Sequence, residues 1–266
     1  MNGARHFLLA LQFFTRVPVT GRLAQWVGFS PQMLRASAAH FPGVGWLVGA
    51  VGAAVFVVVQ HGLPGYGGAL VAAMGSTVAT VLLTGAFHED GLADVADGLG
   101  GSADRARALE IMKDSRIGAF GAIALVLAIG LKVALLAVLA GQGAAAVASA
   151  IVFAHVLSRL APLFLIRRLP YVGDSGASKA KPLADAIGGG ALLVGVLWSI
   201  PAAGAVLCAQ PAINTIAAML ACALAAAYMA ALLRRRLQGF TGDGLGATQQ
   251  VCELAIYLAL AWRVAA

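Results

Sequence analysis

Long apolar runs separated by short polar breaks dominate the pattern of this chain. The runs fall at about residues 43–61, 67–87, 118–140, 144–166, 187–208, 212–233 and 247–265. At 1.5 Å per residue, about 20 residues cross a hydrocarbon core of about 30 Å. The pattern predicts an all-α class, a polytopic integral membrane helical bundle of six to seven transmembrane helices. A shorter run, Phe7 to Phe14, lies between Arg5 and Arg16 with no small-x-small site after it. That is an N-terminal interfacial or re-entrant helix rather than a signal peptide. No linker, low-complexity tail or second domain breaks the series, so residues 1–266 are expected to form a single integral membrane catalytic domain with its active-site loops on the cytoplasmic face.

Charge orients the runs. A net charge of +7 would suggest nucleic acid for a soluble protein. Here the cations sit near the N-terminus and after the second, fourth and sixth runs, while the alternate turns carry none. By the positive-inside rule, residues 88–117, 167–186 and 234–246 face the cytoplasm, as in a multi-pass protein of the cell inner (plasma) membrane. The expected surroundings are a lipid bilayer and no nucleic acid; self-association is left open. Cys208, Cys222 and Cys252 lie in apolar runs without CxxC spacing and read as packing residues.

Against this apolar background the acid is concentrated. Seven of the eleven acidic residues lie between Phe87 and Gly121: Glu89, Asp90, Asp94, Asp97, Asp104, Glu110 and Asp114. On a helix, Asp90, Asp94 and Asp97 fall within roughly 60° of one another. Carboxylates so placed repel unless a cation separates them, and hard oxygen ligands suit Mg²⁺ or Mn²⁺. His88 is a candidate base or ligand beside them. Glycines 91, 98, 100 and 101 read as allowing turns and close ligand approach. A short helix is expected over about 103–112 with Ser102 as its cap, followed by Lys113-Asp114-Ser115-Arg116, whose cations can neutralise phosphate oxygens. Asp243, set among glycines, is a further candidate ligand. Glu253 lies inside the last run, where an unpaired carboxylate is expensive, with Lys132 or Arg159 as its candidate partner. His155 reads as a packing residue. Metal ligands and phosphate-binding cations together at a membrane surface point to phosphoryl or nucleotidyl transfer.

Five pieces in order, FFTRVP, HFPGVGWLVG, HEDGLADVADG, IMKDSRIGAFG and GDGLGA with its later Glu, resemble the cobalamin synthase (adenosylcobinamide-GDP ribazoletransferase) family. The resemblance covers about residues 13–253 and implies an inner-membrane, Mg²⁺-requiring enzyme of the last steps of cobalamin biosynthesis. Such an enzyme joins α-ribazole or its 5′-phosphate to adenosylcobinamide-GDP and releases GMP. It implies that Asp90, Asp94 and Asp97 hold metal against the diphosphate. It also implies that Lys113, Asp114, Ser115 and Arg116, with Asp243 and Glu253, bind substrate or order the site. Residues 171–182 match only loosely. Two alternatives compete. A CDP-alcohol-type membrane phosphotransferase would carry DGxxAR, whereas Asp97-Gly98 is followed here by Leu-Gly-Gly-Ser. A non-enzymatic cation transporter would place acidic residues near the midplane of several spans.

Overall fold

The computed structural model describes residues 2–173 and 187–262. Its described residues form thirteen α-helices. In order they are α1 (Asn2–Phe14), α2 (Gly21–Val27), α3 (Pro31–Ser37), α4 (Phe41–Gly62), α5 (Tyr66–Thr84), α6 (Phe87–Gly101), α7 (Arg105–Ile111), α8 (Ala119–Ala140), α9 (Ala144–Leu157), α10 (Ala161–Arg168), α11 (Gly189–Ala209), α12 (Ala212–Leu237) and α13 (Gly242–Ala261).

Six helical segments are long and apolar enough to cross a membrane: Pro31–Gly62, Tyr66–Thr84, Ala119–Ala140, Ala144–Arg168, Gly189–Ala209 and Ala212–Leu237. The all-α multi-pass expectation is met, at the lower of its two numbers. Large apolar side chains such as Leu82, Val126, Leu127 and Leu224 stay exposed, which suits a lipid surround because a helix pairs its interior backbone groups within itself. The last apolar run behaves differently. α13 carries Asp243, Gln249, Gln250 and Glu253, falls outside those six, and packs against α12, α6, α8, α9 and α10. Most of its residues from Gly244 to Glu253 are buried. Gln249, Gln250 and Glu253 are answered by neighbouring helices, which lipid could not do.

Small residues set the spacing. A Cβ at Gly49 of α4 would lie 2.7 Å from Val152 Cα, and one at Gly45 would lie 2.7 Å from Val156 Cα. The backbones of α4 and α9 therefore touch, as helices in lipid do through small residues. The fourth run is not one straight rod. It breaks after Leu157 and restarts at Ala161, with Pro162 supplying the fixed φ and missing N–H of a helix start. The break turns Ser158 and Arg159 inward, where both are buried.

α1, 13 residues and about 20 Å long, is too short to span. It buries Leu9, Ala10, Leu11 and Phe14 in the same core as α4, α10 and α12. The three cationic loops expected on one side do converge. Arg236 donates from Nη2 to the carbonyls of Leu99 and Ser102 at 3.0 and 2.7 Å, capping α6, and Arg105 Nε donates to Leu237 O at 2.7 Å, capping α12. Phe240 pairs with residues 170–172 through two backbone hydrogen bonds of 2.9 Å. Lys179 and Lys181 lie outside the described residues.

Candidate active site

The acidic stretch is a helix held at both ends. α5 stops at Gly85 and Ala86, both left-handed (φ 68° and 59°), a conformation that costs an alanine about 1–2 kcal/mol. After this turn α6 packs against α13 and α8. The glycines of α6 serve helix approach, not turns. A Cβ at Gly91 would lie 2.8 Å from Asp243 O, and one at Gly100 would lie 2.6 Å from the Phe120 ring. Gly91 thus brings the start of α13 against α6 and sets Asp243 beside Asp90 and Asp94.

The three α6 carboxylates divide by burial. Asp90 is exposed, Asp94 half-buried and Asp97 buried. Asp97 does not share the surroundings of the other two. Its Oδ2 accepts from Gly118 N and its Oδ1 from Gly121 N, both at 2.8 Å, so it caps the first turn of α8 from another helix. Carboxylate bonds of this kind contribute about 1.5–3 kcal/mol, helped by the helix dipole. Gly118 and Gly121 are glycines for the same reason, since a Cβ at either would collide with the Asp97 carboxylate. The metal-ligand assignment from one-face spacing is thereby corrected in part: Asp97 faces a helix end.

Asp94 and Asp243 have no such compensation. Burial, then the neighbouring Asp243, Asp90 and Asp97, pushes the Asp94 carboxyl up to about 7. Burial and Asp90 push Asp243 up to about 6. Carboxylates that raise one another's pKa fit a cation between them. Among the described residues, no three His, Cys, Asp or Glu side chains are close enough to hold a metal by themselves.

A cleft of about 410 Å³ opens beside them, lined among others by Glu89, Asp90, Asp94, Lys113, Ser115 and Arg116. The structure thus brings the acidic helix and the cationic loop together. Asp104, not Ser102, is the N-cap of α7: its Oδ1 accepts from Arg107 N at 2.8 Å, while Ser102 Oγ accepts from Asp104 N. α7 then delivers the loop to the cleft. Arg116, its side chain 87% exposed, grips Asp114 through Nη2 at 2.6 Å and Nε at 3.0 Å. These bonds pull the Asp114 carboxyl down to about 2.

Two candidates lie elsewhere. His88 does not line the cleft. It is buried, stacks on Phe14 with ring centroids 5.6 Å apart, and burial, with Arg159 nearby, holds its pKa well below the usual range. Glu253 is a buried ion pair, its Oε1 2.7 Å from Lys132 Nζ, and its Oε2 accepts from Gln249 Nε2 at 2.7 Å. Lys132 is therefore the partner. His155 is more than packing, with Nδ1 3.6 Å from Glu253 and 3.1 Å from Arg159 Nη1.

Three residues, Glu89, Gln249 and Gln250, were given no role by the sequence reading. Gln250 Nε2 donates to Glu89 Oε1 and to Gln249 Oε1, both at 3.0 Å, linking the cleft to the buried pair. Oε2 of Glu89, a cleft-lining residue, is buried and accepts no hydrogen bond among the described residues. The signals were present: an acid directly before Asp90, and two adjacent amides in an apolar helix.

The sequence profile of the cobalamin-5-phosphate synthase family matches residues 6–261. The chain belongs to that family. A protein of Albidiferax ferrireducens named adenosylcobinamide-GDP ribazoletransferase is 60% identical, covering 97% of each chain. Proteins of the same name from Polaromonas naphthalenivorans and Leptothrix cholodnii are 59% and 47% identical over 97% of this chain. No solved structure matches it. Membership displaces the CDP-alcohol phosphotransferase and transporter alternatives.

Proposed function

We propose that this membrane enzyme joins α-ribazole, or its 5′-phosphate, to adenosylcobinamide-GDP, giving adenosylcobalamin or its 5′-phosphate and releasing GMP. The observation that carries the reading is the cleft itself, where Asp90 and the uncompensated Asp94, backed by Asp243, face the Lys113–Arg116 loop. An acceptor hydroxyl attacks the phosphorus on the cobinamide side of the diphosphate, a new P–O bond forms, the anhydride bond breaks so that GMP departs with the bridging oxygen, and the hydroxyl proton passes to solvent water.

Arg116 exchanges its contact with Asp114 for the diphosphate, and its planar fork suits two phosphate oxygens. Lys113 adds a second positive charge, and Ser115 a hydroxyl donor. Asp90 and Asp94, with Asp243 behind them, would hold Mg²⁺. Asp97 acts by fixing α8, and so the end of the loop, against α6. Mg²⁺ bound there would offset the diphosphate charge and stabilise the departing phosphate. The cationic loops support a cytoplasmic cleft at the inner membrane, within one catalytic unit.

The test is GMP release by purified protein in lipid nanodiscs supplied with both substrates. Release that needs both substrates, stops with EDTA and returns with Mg²⁺ is expected. Release unaffected by EDTA would remove the metal from the reading, and absence of ribazole-dependent GMP would sink the reaction.

A further inference from the structure

On the other side of the α6–α13 crossing lies a second, quite different pocket. Phe13, Phe14, Phe41, Phe87, His88 and Arg159 line it, with Gly246 and Gln249 of α13 at its base. The rings already pack as an aromatic set: Phe14 meets Phe41 edge-on at 4.3 Å and Phe87 at 5.5 Å, and Phe13 meets Phe87 at 5.6 Å. Arg159 is 3% exposed, donates from Nη1 to His155 O at 2.9 Å, and has a buried Nε with no acceptor among the described residues. A buried donor without a partner is costly unless something fills the role. The Gln249 amide nitrogen is fully used, donating to Ser158 and Glu253, while its Oε1 accepts from Gln250.

We propose that this pocket seats a flat, apolar heteroaromatic ring carrying one lone-pair acceptor. Resting on the transfer reaction proposed above, that ring is the base of the ribazole acceptor, a methylated benzimidazole. Aromatic walls favour a flat ring through offset or edge-on stacking. The unpartnered Arg159 Nε asks for an acceptor, which a benzimidazole nucleoside supplies from its free ring nitrogen. A benzimidazole also asks for fewer polar partners than guanine, whose several N–H groups would each need an acceptor. The place is also right: Phe87 and His88 precede the cleft residues Glu89 and Asp90 on the same helix turn, and Gly242 precedes Asp243. As it stands the pocket measures about 30 Å³, the size of a water site. Phe87 is 38% exposed and Phe13 half-buried, so these two rings swing aside to admit the base.

The experiment titrates 5,6-dimethylbenzimidazole, the free base, into the nanodisc-held protein by calorimetry. The base binds, and 5,6-dimethylindole, of the same shape but without the acceptor, binds about tenfold or more weakly. Phe13→Ala and Phe87→Ala, both at partly exposed positions, each weaken base binding about three- to tenfold. In the transfer assay both raise the KM for ribazole and leave the KM for adenosylcobinamide-GDP unchanged. Equal binding of the two ring systems, unchanged binding in both variants, or displacement of the base by GMP would each overturn the proposal. Ribazole-dependent GMP release with no detectable base binding would overturn it too, and would leave the transfer reaction standing. Base binding without any transfer would instead sink the reaction and leave the pocket.

Discussion

Asp94 on α6 and Glu253 on α13 belong to one bundle, yet they answer the same cost in opposite ways. Glu253 is compensated by Lys132 at 2.7 Å and by the Gln249 amide. Asp94 meets other carboxylates and is held near pKa 7. A buried charge that is already satisfied supports the fold, whereas a cluster that waits for a cation marks the chemistry. Residue type does not separate the two; the neighbours do.

The comparison breaks most visibly at Asp94. Asp94→Asn is expected to lower GMP release about a thousandfold, roughly 4 kcal/mol of transition-state stabilisation. The same change should leave thermal stability in metal-free nanodiscs equal or higher, because it relieves repulsion. A variant that keeps wild-type turnover at saturating Mg²⁺ would place the metal elsewhere.

Lys132→Met is the opposite experiment. Removing one partner leaves the Glu253 carboxylate buried and uncompensated, with an expected loss of about 3–5 kcal/mol. The double variant Lys132→Met with Glu253→Gln should recover most of it in the same unfolding assay. A double variant as unstable as the single one would give Glu253 a role beyond its ion pair.

Asp97→Asn sharpens the contrast within α6 itself. An amide keeps one acceptor oxygen and loses the charge at the α8 terminus, so a stability loss of about 1–2 kcal/mol is expected. Asp94→Asn should show no such loss. Equal thermal midpoints for the two variants would put Asp97 back among the ligands. The smallest effect is expected at Arg116→Lys, about tenfold in KM for the diphosphate substrate, because the lysine keeps the charge and loses the fork. Near-equal KM values would make Arg116 a membrane anchor.

The helical class, the membrane and the pairing of the acidic helix with the cationic loop were all legible in the sequence, because apolar run length and charge density are local quantities. Long-range geometry was not. One-face spacing grouped Asp97 with Asp90 and Asp94, and only the position of α8 shows that it reaches Gly118 and Gly121 instead. His88 sits next to the acids in sequence but turns into the phenylalanines. The break at Ser158–Leu160 lay inside an apolar run whose hydropathy does not register it. Gln249 and Gln250 acquire meaning only once α13 is seen inside the bundle.

The Asp97 latch also has a consequence for how such a sequence can change. Asp97, Gly118 and Gly121 occupy one volume: a side chain at either glycine displaces the carboxylate, and loss of the carboxylate uncaps α8. Three positions spread over 25 residues therefore mutate as one unit, and single steps away from the trio pass through a fold with a frayed helix. Libraries randomised at the three positions together should yield functional triplets that no one-at-a-time scan reaches, among them Asn or Ser at position 97 paired with a small residue at position 118.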